Sequence, residues 1–87
     1  MEQSEKSILE QVVDIVISSV QLGGKETHTN LLYKPNEDTA KELLAVTQMN
    51  VFKLLPIHYA DLVDRIDLEP KIGGDNYNAL LITVYRK

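Results

Sequence analysis

The sequence predicts an α+β domain with the element order α-β-α-α-β-β, closed by a C-terminal β-hairpin. Two observations carry that assignment. Arg65-Ile66-Asp67-Leu68-Glu69-Pro70-Lys71-Ile72 alternates polar and apolar residues, meets Gly73-Gly74-Asp75-Asn76, and continues into Asn78-Ala79-Leu80-Leu81-Ile82-Thr83-Val84-Tyr85, which is the pattern of two strands with one buried face. Residues 7–22 instead place their apolar positions 8, 9, 12, 13, 15, 16, 17, 20 and 22 on one broad helical face, with Glu10, Gln11, Asp14, Ser18 and Gln21 opposite.

Each element has its own signals. For the first helix, Ser4 is the expected N-cap with Glu5 in the first turn, and Gly23-Gly24 supplies the residue type that ends helices. Thr27-His28-Thr29-Asn30-Leu31-Leu32-Tyr33 is short and threonine-rich, and Pro35 disfavours helix at Lys34, so this segment reads as a strand. Asn36 or Asp38 then caps a helix beginning near Thr39 that Pro56 stops; one helix over 39–55 and two helices turning near Thr47-Gln48 are both open. Tyr59, Leu62, Val63 and Ile66 follow helical spacing and predict a further short helix before the hairpin.

A second architecture competes. Val12, Val13, Ile15, Val16, Ile17 and Val20 are β-branched. An offset of 50 residues pairs Val13, Asp14, Gly23, Gly24 and Leu31 with Val63, Asp64, Gly73, Gly74 and Leu81. Were residues 12–33 a hairpin, the fold would be ββαββ, a four-stranded antiparallel sheet with one long helix.

The composition narrows the function classes. One domain over residues 1–87 has a small core, and 44% hydrophobic with 25% charged residues is ordinary for a folded protein. The absence of cysteine removes disulfides and thiolate metal sites and points to an intracellular, cytoplasmic protein. Met1-Glu2-Gln3-Ser4-Glu5-Lys6 lacks the positive-then-apolar pattern of a secretory signal, and no apolar run is long enough to span a membrane. A net charge of −4 works against general attraction to phosphate backbones.

The order of elements resembles the winged-helix arrangement, in which two helices after the first strand form a helix-turn-helix and the last two strands form the wing. The resemblance concerns the fold and implies, as one functional reading, a dimeric transcriptional regulator that binds nucleic acid. Gln48, Asn50 and Lys53 would then face base edges, while Lys71, Arg86 and Lys87 on the wing would reach phosphates. Placing the reading helix at residues 57–66 is chemically worse, since Asp61 and Asp64 would face phosphate.

Catalytic and metal chemistry find little support. His28 and His58 are the two histidines, and His58 with Asp61 falls short of the three or more ligands of a metal site. No serine sits in a Gly-x-Ser-x-Gly turn, and the glycine pairs lack the spacing of phosphate-cradling loops. No enzyme activity, metal or cofactor is expected, and no convergent polar set accompanies Tyr59, Tyr77 or His58 as a ligand pocket.

The remaining signal is a second apolar stripe. On a continuous helix, Ala45, Met49 and Phe52, with Val46 beside them, line a side different from the core face. Met and Phe are enriched at protein contacts. The expectation is therefore a non-catalytic, acidic protein-interaction module, a small regulator or inhibitor. It would bind a protein partner with a basic surface, or itself as a homodimer, through Ala45, Val46, Met49 and Phe52.

Overall fold

A computed structural model describes residues 7–73 and 76–87. It is α+β with the element order read from the sequence and the C-terminal hairpin in place. The first helix, α1, spans Ile8–Leu22. Its N-cap is Ser7, whose Oγ accepts the Glu10 N–H at 3.1 Å while the Glu10 carboxylate accepts the Ser7 N–H at 3.0 Å; the expected cap residues Ser4 and Glu5 lie outside the described residues. Gly23 ends α1 at φ +83°, a conformation that side chains with a Cβ rarely adopt. Residues 12–22 are thus helical, and the four-stranded alternative is replaced by a three-stranded antiparallel sheet.

That sheet comprises β1 (Glu26–Tyr33), β2 (Val63–Lys71) and β3 (Asn78–Arg86) in the order β1-β3-β2. Its register puts Thr27, Val84 and Ile66 in one inward row and Thr29, Ile82 and Leu68 in the next. Glu26, Tyr85 and Arg65, then His28, Thr83 and Asp67, form rows on the opposite, outward face. β3 is the central strand, so Leu80, Ile82 and Val84 are fully buried. Val12, Val16 and Val20 of α1 join them in one core, and each such apolar side chain contributes about 1.5–3 kcal/mol of burial free energy.

The middle of the chain is broken, not continuous. Helix α2 (Glu37–Leu44) is capped by the Asn36 side chain, which accepts the Thr39 N–H at 2.8 Å. Helix α3 (Gln48–Leu54) has its own N-cap, Thr47, whose Oγ1 accepts the Asn50 N–H at 3.2 Å. Between them the chain leaves helical geometry so that Val46 enters the core. A single turn, α4 (Ile57–Ala60), follows Pro56.

The expected helix through Ile66 stops early, because β2 begins at Val63. A bulge at Asp64 explains the false signal. Val63 pairs with Arg86 and Arg65 with Tyr85, leaving Asp64 as an extra residue. The insertion puts Val63 and Ile66, three apart, on the same buried face, and three is also a helical spacing.

Candidate interaction surface

The break between α2 and α3 redistributes the apolar stripe. Val46 is buried in the core and Phe52 packs against it. Ala45 is exposed at the end of α2, and Met49 points outward at 68% exposure. Of the four residues grouped from the sequence, two therefore face the core, and the structure does not bring the set together as one stripe.

Exposed apolar side chains are instead spread along this part of the sequence. Among the described residues, five of the nine exposed large hydrophobics fall between positions 44 and 62: Leu44, Met49, Leu54, Ile57 and Leu62. Leu54 sits at the α1–α3 junction, lining a shallow depression with Glu10, Val13 and Asp14. Ile57, at 77% exposure, opens α4 just beyond. Sequence reasoning missed Leu54 and Ile57 because on a continuous helix Leu54 belongs to the inner face. Glu37, Asp38, Asp61 and Asp64 add exposed carboxylates on the same helical segment and its exits.

The residues suited to nucleic acid are largely engaged elsewhere. The Gln48 side-chain carbonyl accepts the Ile66 backbone N–H at 2.7 Å, and the Asn50 side-chain amide donates to the Ala45 carbonyl at 3.0 Å. Lys53 is exposed on α3. Lys71 pairs with Glu69 at 2.9 Å near the hairpin tip. Arg86 and Lys87 lie at the opposite end of the hairpin, about 25 Å away at the usual rise of roughly 3.3 Å per residue. There the Arg86 guanidinium comes near the glycine that ends α1. A groove of about 580 Å³ between Thr47-Gln48 and β2 is lined by Asp67 and Glu69 against Arg65 alone. Arg65 itself contacts Asp67 at 3.5 Å and stacks 4.1 Å above the Tyr85 ring.

One polar chain on the outward sheet face was invisible before the register was known. Glu26 Oε2 lies 2.7 Å from His28 Nε2, and His28 Nδ1 lies 3.2 Å from Thr83 Oγ1. The order carboxylate, imidazole, hydroxyl is that of a nucleophile relay. Yet His28 and Glu26 are 65% and 50% exposed, and such relays depend on preorganised donors in a water-excluded site. The row acts here as a cross-strand polar contact. His58 and Tyr59 stack at 4.3 Å, with the Tyr59 hydroxyl accepting from Gln21, and Tyr77 lies apart near the hairpin tip. Among the described residues there is no group of three potential metal ligands, and no helix is long and apolar enough to cross a membrane.

No family model, curated protein or solved structure matches the chain.

Proposed function

We propose that this protein is a non-catalytic interaction module, a small regulator or inhibitor that works by occupying a surface of a protein partner. The observation that carries the reading is that α3 and α4, within ten residues, expose Met49, Leu54 and Ile57 at 68%, 51% and 77%. A small domain gains nothing in stability from apolar side chains left in water, and a contact with a partner would bury them. The carboxylates of Glu37, Asp38, Asp61 and Asp64, together with the net charge of −4, favour a partner whose apolar contact is ringed by Lys and Arg.

The test is affinity capture from the native cell extract by wild type, Met49→Asp, Ile57→Asp and, as a surface control, Ile72→Asp. Loss of one reproducible partner in the first two variants, with the control unaffected, supports the reading. Folded Met49→Asp and Ile57→Asp proteins that retain the same partner would remove it.

The winged-helix-like element order favours a second reading, a nucleic-acid binder using Lys53. It predicts a complex with duplex at low salt that weakens steeply as salt rises and fails in Lys53→Ala. Unshifted duplex at low salt eliminates it.

A further inference from the structure

The two edges of the sheet are built differently. The Arg86 N–H donates to the Lys25 carbonyl at 2.8 Å, which fixes the phase of the β1–β3 ladder. Odd-numbered residues of β1 bond to β3, and the N–H and C=O groups of Glu26, His28, Asn30 and Leu32 point away from the sheet. No hydrogen bond within the described residues meets these backbone groups. On β2 the same phase turns the backbone groups of Ile66, Leu68 and Pro70 away from β3, toward the edge. Gln48 occupies the Ile66 N–H, Pro70 has none to offer, and Asp64 bulges the strand. These are devices that blunt an edge, whereas β1 carries no proline, lysine or bulge within its eight residues.

We infer that the open edge of β1 pairs antiparallel with β1 of a second copy of this chain, joining two three-stranded sheets into one of six. The inference builds on the reading of the chain as an interaction module and concerns a surface separate from α3 and α4. The sequence of the strand selects both occupant and register. Outward-pointing backbone on both copies requires even-numbered residues to oppose even-numbered ones, so the two-fold axis passes through a residue. With the axis at Asn30, His28 opposes Leu32, Thr29 opposes Leu31, Thr27 opposes Tyr33, and Glu26 opposes Lys34 of the other copy. The ladder of this register runs from Thr27 to Tyr33, since the Lys34 carbonyl, just beyond the strand, accepts the Asn36 N–H at 2.9 Å within its own chain; the exposed Lys34 side chain is brought beside the Glu26 carboxylate of the other copy, twice across the axis. Shifting the axis to Thr29 or Leu31 sets Glu26 against Leu32 or His28 against Lys34 and loses both charge pairs. Beside the edge, α1 and β1 leave an open depression of about 470 Å³ lined by Asp14, Ile15, Ser18, Leu22, Thr27 and His28 among others.

The chain has no cysteine, so single-cysteine variants report directly. Asn30 would face its own copy at about 5.5 Å between Cα atoms, within disulfide reach, whereas two copies of His28 would lie four positions out of register. Light scattering is expected to give a mass near twice 9.8 kDa. Asn30→Cys should oxidise to a covalent dimer and His28→Cys should not. Hydrogen exchange should slow at His28, Asn30 and Leu32 as protein concentration rises. Asn30→Pro removes an N–H that β3 does not use, so it should stay folded by circular dichroism and become monomeric. Lys34→Glu should weaken the dimer about tenfold, and adding Glu26→Lys should restore it. A monomer throughout the micromolar range overturns the inference, as does a dimer that survives Asn30→Pro, equal cross-linking at His28→Cys, or a foreign extended peptide binding one-to-one along β1. Each of these outcomes leaves the Met49 and Ile57 capture result standing or falling by itself.

Discussion

The Gln48 side-chain carbonyl holds the Ile66 backbone N–H at 2.7 Å, tying the first residue of α3 to the β2 edge. One hydrogen bond thereby anchors the helix that follows the break, closes part of a sheet edge, and engages the carbonyl of a side chain suited to reading a base. Ile66 is buried, so losing the acceptor leaves a shielded N–H unpaired. Gln48→Ala is expected to cost about 1–3 kcal/mol in urea unfolding. Gln48→Glu, which keeps an acceptor at the same reach, should recover most of that loss. Equal stability of wild type and Gln48→Ala would show that water replaces the carbonyl without cost.

Thr47 tests the helix break itself. Its Oγ1 caps α3 through the Asn50 N–H, and a continuous helix over 39–55 would have no use for such a cap. Thr47→Ala should therefore destabilise the domain by about 1 kcal/mol. Within a continuous helix alanine would be the better residue, and the substitution would stabilise by a few tenths of a kcal/mol. The sign of the change in denaturation midpoint decides between the two geometries.

What the sequence made legible follows from where local chemistry was sufficient. The hairpin was readable because alternation from Arg65 to Ile72 and the glycine turn agree with each other. The helix α1 was readable because its polar residues separate cleanly from its valines. The α2–α3 break has only a weak local signal, Thr47 as a residue type that caps helices, since Ala45-Val46-Thr47 contains neither glycine nor proline. It depends on Val46 reaching the core and on Gln48 reaching Ile66, eighteen residues away. The bulge at Asp64 misled in the opposite sense by imitating helical spacing. At the candidate surface, Met49 was legible as an outward residue, whereas Leu54 and Ile57 emerged only once the break had turned α3. The open edge of β1 could not be found without the ladder's phase, which no single segment encodes.

The adjacent glycines after α1 separate conformational need from space. Gly23 sits at φ +83°, where a Cβ is disfavoured even though its position would meet only the Arg86 guanidinium, at 3.7 Å. Gly23→Ala is expected to cost about 1 kcal/mol. Gly24 has no such φ, and its Cβ would make ordinary contacts with Thr27 at 3.5 Å and the Glu26 carbonyl at 3.9 Å. Gly24→Ala should thus be neutral or stabilise by up to about 1 kcal/mol, by restricting the unfolded chain. Thermal unfolding of the two variants checks the difference, and a reversed order would contradict the assigned end of α1.

Tyr33 links β1 to α1 and gives the fold a pH dependence at its alkaline end. Its hydroxyl donates to Gln11 Oε1 at 2.6 Å. Burial, and secondarily the Glu42 carboxylate, raise its pKa above the ordinary 10.0. The folded state therefore holds this proton more tightly than the unfolded chain does. The resulting stabilisation is complete below about pH 10, the unfolded value, and is lost as pH climbs through the higher folded value. Urea unfolding should accordingly show a stability decline above about pH 10 that is smaller in Tyr33→Phe. At neutral pH the same variant should lose about 1 kcal/mol for the missing hydrogen bond. Identical alkaline profiles for wild type and Tyr33→Phe would mean that the Tyr33 hydroxyl is as solvated in the native state as in the unfolded chain.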